Sequence, residues 1–228
     1  MNTQDLNFAV SGKLWNRSLV MRDAETGSLW SHILGKAMAG PLEGAQLEIL
    51  PATMTDWKTW KEQHPSTTVV KLSRTSKEYR LDFYEDPSLF VLGLSADLKT
   101  KAWPLDELMQ KRVANDKIGN TSALIAFDPK SLTALAFNRH LTGRILTFQE
   151  KDGKMVDTDT GTTWNRLTGK AIRGDLSGQS LQPLPAIISA MKAWITFHPD
   201  TEGLSKASME KARNTNFLRR RGRNRKNN

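Results

Sequence analysis

Asp23 to Thr67 reads DAETGSLWSHILGKAMAGPLEGAQLEILPATMTDWKTWKEQHPST, and Asp157 to Thr201 reads DTDTGTTWNRLTGKAIRGDLSGQSLQPLPAIISAMKAWITFHPDT. The offset is 134 residues throughout, no gap is needed, and 19 of 45 positions are identical. The identities include Thr26/Thr160, Gly27/Gly161, Trp30/Trp164, Gly35/Gly169, Gly40/Gly174, Gly44/Gly178, Pro51/Pro185, Trp60/Trp194 and His64/His198. Chance does not produce an ungapped match of that density. The chain therefore holds two copies of one structural unit.

Within each copy the Thr-Gly pair follows a strand-like run and precedes a Trp-bearing one, and Gly27 and Gly161 suit a turn with positive φ. Three more glycines per copy punctuate short strands. Leu-Pro-Ala then leads to short helices over about 55–63 and 189–197, each ended by His-Pro, because the residue before proline disfavours the helical region. Outside the copies, Val91–Ser95 and Lys101–Leu105 read as strands, as do Ser122–Phe127 and Thr133–Phe137. Asp106 to Ala114 has helical spacing, with Asp106 as N-cap and Leu105, Leu108 and Met109 on one face; the Asn-, Asp- and Gly-rich 115–120 breaks it. Asp152-Gly153 between Arg144–Phe148 and Lys154–Asp157 is a hairpin signal. The expected fold is α+β and β-rich. Short antiparallel strands and a few short helices are duplicated about a pseudo-twofold.

The copies are unequal at their starts. Val91 to Thr147 precedes the second, whereas about twenty residues precede the first, and Phe8 pairs best with Phe148. The first repeat is expected to be incomplete and to expose a sheet edge, which invites pairing with another chain, such as a second copy in a homodimer. The expected divisions are 1–67 (incomplete first repeat), 68–90 (connector), 91–203 (complete second repeat) and 204–228 (basic, disordered tail).

With 228 residues and 38% hydrophobic content the chain is long enough to bury a core. It has no cysteine, which excludes disulfides, zinc thiolates, iron–sulfur clusters and cysteine nucleophiles. The net charge is +9, from 33 Lys+Arg and 24 Asp+Glu. Nine basic and two acidic residues fall in 202–228, so the tail carries +7 and the rest is near neutral. The most apolar stretch, Pro185–Phe197, is interrupted by Lys192 and is short of the roughly 20 apolar residues a membrane span needs. The first residues show neither a basic region nor an apolar core of a signal peptide, so the chain as written is expected in the cytoplasm.

Phe8–Trp30 (FAVSGKLWNRSLVMRDAETGSLW), Gly35–Pro51 (GKAMAGPLEGAQLEILP) and Thr55–Thr67 (TDWKTWKEQHPST) resemble the family known as domain of unknown function 3179, of bacteria and archaea. So do Ala102–Met109, Val113–Asn120, Leu132–Phe137, Leu146–Phe148, Asp159–Trp164 and His198–Thr201. The resemblance spans about residues 7 to 203, and its D-x-E-T-G-S-x-W and W-x-x-W…HP strings occur in order. Two departures stand out. The family usually begins with a further segment carrying C-P-x-C, and the equivalent stretch here is Phe127-Asp128-Pro129-Lys130-Ser131, without cysteine. Many relatives resemble exported proteins, which would make export of an N-terminally longer form the expectation. The resemblance carries no catalytic residues with it.

Asp23, Glu25 and His64 are the candidates for catalysis, as carboxylates and a base of a hydrolase-like site. Against this, the acidic residues beside Thr-Gly are also turn formers, and histidine before proline suits a helix end, where imidazole meets the last carbonyls. Glu25, Thr26, Ser28, Asp159, Thr160 and Thr162 are ligand-binding candidates, expected to meet across the pseudo-twofold around a small polar ligand. With four histidines and no cysteine, neither a metal site nor a cofactor is expected. Recurrent Trp30/Trp164 and Trp60/Trp194 read as core, and Trp15 and Trp57 as surface. Gly35–Pro41 is not a phosphate loop, since Pro41 stands where lysine is required. Arg219, Arg220, Arg221, Arg223, Arg225 and Lys226 form a run that attracts nucleic acid or another anion without sequence preference, or keeps the tail solvated.

Three functions follow from these residues. The first is a non-catalytic binding or scaffold protein with a small polar ligand or a protein partner. The second is a hydrolase-like enzyme working in the first copy. The third is nonspecific nucleic-acid association through the tail.

Overall fold

The computed structural model describes residues 5–16, 18–70 and 82–214. Both copies open as four-stranded antiparallel meanders in sequential order. In the first, β1 (Phe8–Trp15), β2 (Ser18–Asp23), β3 (Leu29–Ser31) and β4 (Lys36–Ala39) pair neighbour to neighbour. A bulge between Val10 and Leu14, with Gly12 at φ +74°, bends β1. Helix α1 (Trp57–Gln63) follows, capped by the Asp56 carboxylate on the Thr59 N–H at 2.9 Å.

After the short α2 (Asp82–Glu85) and a 3-10 turn at Pro87–Leu89, β5 (Phe90–Ala96) and β6 (Lys99–Pro104) form a hairpin around Asp97 and Leu98, both at positive φ. Helix α3 (Leu105–Lys111) leads to β7 (Val113–Ile118), β8 (Thr121–Asp128) and β9 (Thr133–Asn138), a three-stranded sheet in that order. A two-stranded ribbon, β10 (His140–Leu141) and β11 (Arg144–Ile145), enters the second meander. That meander runs β12 (Phe148–Lys151), β13 (Lys154–Asp157), β14 (Thr163–Trp164) and β15 (Ala171–Arg173). Strand β16 (Ile187–Ala190) returns to pair with β5, and α4 (Met191–Phe197) and α5 (Lys206–Asn214) end the described chain.

The central strand β8 explains the apolar run in its sequence. Ala123, Ile125 and Phe127 pack into one core with Leu92, Leu94, Trp103, Leu105 and Leu108. Leu124 and Ala126 face the other way, into a second core with Phe137, Leu146, Phe148, Met155 and Trp164. A strand buried on both faces cannot alternate apolar and polar residues, so its pattern is continuous.

The structure differs from the sequence reading around residue 112. The helix ends at Lys111 because Arg112 is left-handed, at φ +56°. The polar 113–118 stretch is a full strand paired to β8 rather than a break. Its polar side chains have tertiary partners. Asn115 bonds both backbone groups of Phe148, and Asp116 bonds Lys101 and Trp103. Turn propensity yields to those partners. Position 104, a proline, precedes α3, and Asp106 sits in the first turn without capping it. Met109 is exposed while Leu105 and Leu108 are buried.

The chain forms two compact units. Of the described residues, those of 5–50 and 193–200 fall in one and those of 51–192 and 201–214 in the other. The first unit therefore takes residues 193–200 from the second copy, and the second unit takes the post-proline segment of the first copy. In the first unit Trp15 meets Phe197 edge to face, with ring centroids 4.9 Å apart. In the second, Thr133 Oγ1 bonds Thr55 Oγ1 at 2.7 Å, and Asn165 Nδ2 donates to Gln63 Oε1 at 3.3 Å.

Candidate functional site

The Asp-x-x-Thr-Gly string has the same geometry in both copies. Asp23 ends β2 with no solvent exposure. Its Oδ1 accepts from the Thr26 N–H at 2.6 Å and the Thr26 hydroxyl at 2.8 Å; its Oδ2 accepts from the Trp30 indole at 2.8 Å. Because Thr26 donates to a carboxylate, its oxygen must accept from the Ser28 hydroxyl at 2.6 Å. Ser28 Oγ in turn accepts the Leu42 N–H at 3.1 Å, which pins the next loop. Burial pushes the Asp23 carboxyl up, but Trp30, Thr26 and Gly27 together hold it down at about 2.

The second copy repeats this bond for bond. Asp157 accepts from the Thr160 N–H at 2.7 Å, the Thr160 hydroxyl at 2.9 Å and the Trp164 indole at 2.8 Å. Thr160 and Thr162 hydroxyls lie 2.7 Å apart, and Thr162 accepts from Leu176 at 3.2 Å. Gly40 and Gly174 are required here, because a Cβ on either would lie 2.8 or 2.7 Å from the Cα of Ser28 or Thr162.

The acidic residue two places after the aspartate fastens the start of each meander. Glu25 accepts from the Asn7 N–H at 2.9 Å and the Asn7 amide at 2.6 Å, and these bonds hold its carboxyl below the ordinary range. Asp159 accepts from the Thr147 N–H at 2.7 Å. Of the six ligand-binding candidates, Ser28 and Thr162 are wholly buried, the Thr26 and Thr160 hydroxyls are bonded to carboxylates, and Glu25 and Asp159 are exposed. The residues around Glu25 belong to one compact unit and those around Asp159 to the other.

Of the catalytic candidates, Asp23 and Glu25 belong to the first unit and His64 to the second. His64 is exposed. Its backbone N–H, not its ring, meets the helix carbonyl of Trp60, at 2.9 Å, while the imidazole tilts over the Trp60 indole with centroids 4.0 Å apart. His198 repeats this on Trp194 at 4.1 Å, and burial pulls its pKa down. The repeated W-x-x-x-H-P string is thus a stacked pair one helical turn apart. Trp30, Trp164 and Trp194 are buried, whereas Trp15 and Trp57 are exposed. Among the described residues no group of three or more His, Asp or Glu is placed to hold a metal ion. The arginine run from Arg219 to Lys226 lies outside the described residues.

Several residues with structural chemistry escaped the sequence reading. Glu150 is shared by Arg112 at 2.8 Å and Arg166 at 3.2 Å. Asp116 takes Lys101 at 2.7 Å and the Trp103 indole at 2.8 Å; burial opposes the charged form, but these donors keep the carboxyl below its ordinary value. Each partner is far away in sequence, so local spacing held no signal. A cavity of about 560 Å³ opens on the second meander beside Lys154, Gly161, Arg166 and Arg173. Its basic character was legible only by setting the two copies side by side.

No helix among the described residues is long and apolar enough to cross a membrane, which says nothing of a β-barrel. No curated protein and no solved structure matches the chain. One family model matches twice, over residues 1–89 and 82–221, in keeping with the duplication, and the chain belongs to that family, described as a protein of unknown function, DUF3179.

Proposed function

We propose that this chain is a non-catalytic binding or scaffold protein that takes a small polar ligand or a protein partner. The supporting observation is the closure of the Asp-x-x-Thr-Gly motif it carries twice. The carboxylate, the two hydroxyls and the indole N–H of each copy bond to one another or to backbone, and the linking hydroxyls end on a backbone N–H. A catalytic serine or threonine needs a base that can take its proton. Here Thr26 and Thr160 donate to fully buried carboxylates that also accept an indole and a backbone N–H, and a carboxyl held at about 2, as that of Asp23 is, is a weak base. The test is turnover. The intact chain, incubated with p-nitrophenyl acetate and p-nitrophenyl phosphate, is expected to release nitrophenol no faster than buffer. Release above buffer that disappears in Glu25→Gln or His64→Ala would overturn the reading in favour of a hydrolase.

For the protein partner this reading commits to a second copy of the chain. Strand β1 is the edge of its sheet, and Val10 and Leu14 on it are 71% and 70% exposed. The equivalent edge of the second copy is closed by Asn115, which bonds the N–H and the carbonyl of Phe148. An edge that no described residue covers is open to pairing with another strand. Light scattering across a concentration series should give the dimer mass, reverting to monomer with Val10→Lys; a monomer at all concentrations would rule the partner out.

A further inference from the structure

The duplication provides an internal control for the cavity on the second meander. In the first copy the Arg22 guanidinium lies over Gly27, 3.2 Å from where a Cβ would stand. The second copy has Val156 at the place of Arg22, and the space over Gly161 is open, with nothing within 4 Å. Around that open space the charges have also changed. Lys154, Arg166 and Arg173 replace Val20, His32 and Ala39 at the 134-residue offset. All three line the cavity of about 560 Å³, and among the described residues no acidic one does.

The three cations are not alike. Arg166 is fixed, donating to the carbonyls of Phe127 at 2.9 Å and Gly153 at 3.1 Å and to Glu150 at 3.2 Å. Among the described residues that leaves two of its five N–H groups without an assigned acceptor. Lys154 and Arg173 are exposed on the rim. Glu150 already carries two arginines, so it leaves the wall net positive.

We propose that this hollow binds a small oxyanion, a phosphate or a polycarboxylate, held between Arg173 and Lys154 against the fixed Arg166. Planar guanidinium forks suit both anions. A hollow of this volume suits a small molecule rather than a chain. This inference rests on the binding-protein reading and names the ligand class.

The experiment is calorimetric titration of the intact chain with pyrophosphate and, separately, with citrate, at about 0.15 M salt, where exposed charges beyond the screening length of about 8 Å count for little. At least one of the two is expected to bind, and which one does distinguishes phosphate from carboxylate ligands. The double change Lys154→Ala and Arg173→Ala should weaken binding about tenfold or more, as expected for loss of charge-assisted bonds. The decisive variant is Val156→Arg, which sets over Gly161 the guanidinium that the first copy sets over Gly27. It raises the net charge yet should abolish binding by filling the hollow. Unchanged or tighter binding in Val156→Arg would overturn the site, since general attraction to a basic protein would then suffice. Absence of binding by both anions, or retention in the double variant, would also overturn it while leaving the non-catalytic reading intact. Release of phosphate from pyrophosphate would instead defeat the non-catalytic reading and leave the site standing.

Discussion

A carboxylate with no access to water persists only if donors surround it, and Asp157 has a backbone N–H, a hydroxyl and an indole N–H. Trp164→Phe keeps most of the buried ring and removes one donor, so it should lower stability by about 1–3 kcal/mol, read from urea denaturation. A loss under a few tenths would show that the indole bond is incidental. Gly174→Ala should also destabilise, because its Cβ meets the Thr162 backbone and its φ is +120°. Asp23 predicts a pH dependence. Its carboxyl titrates at about 2 in the fold against an ordinary 3.8. The stability it contributes is therefore complete above the ordinary value and is lost as pH falls towards 2. Across that window the melting temperature of the native chain should fall more steeply than that of Asp23→Asn, and parallel slopes would contradict the assignment. The sequence announced this motif through its repetition and its Thr-Gly turn. It was silent on the indole bond, because a tryptophan seven residues on reads equally well as plain core.

At the level of elements, the two meanders share a plan and differ at their first strand. The edge of β12 is closed by one side chain from β7, as Asn115 donates to the Phe148 carbonyl at 2.6 Å and accepts its N–H at 2.8 Å. Asn115→Ala leaves both groups of a buried residue unpaired and should cost about 1–3 kcal/mol; Asn115→Asp, which keeps only the acceptor, should recover part of it. Equal losses would mean that the amide fills space and no more. This edge also shows where sequence reading stops. A strand rich in Asn, Asp and Lys looks like a break when read locally, and its reason to exist lies 33 residues away at Phe148. The hairpin at Asp152-Gly153 was legible for the opposite reason. Both residues take positive φ, and the dipeptide that tolerates this is a local signal.

For the whole molecule, duplication has produced a crossing of segments along the chain, each compact unit drawing residues from both copies. The first copy continues past Leu50 into the compact unit built around the second meander, and residues 193–200 of the second copy belong to the unit of the first meander. The β-strand pattern within each copy was readable from its glycines, but the exchange was not, because nothing in a helix of seven residues states which meander it serves. The crossing has a consequence for folding. A fragment of residues 1–67 lacks the 193–200 segment that supplies Phe197 against Trp15, and a fragment of residues 82–214 lacks Thr55 and Gln63. Each half is missing a part that only the other provides. Neither fragment alone should therefore show the cooperative thermal transition of the intact chain, whereas mixing the two should restore it, followed by circular dichroism. If residues 82–214 alone melted cooperatively at the temperature of the intact chain, the exchanged segments would be ornaments on two independent folds, and the crossing would carry no stability.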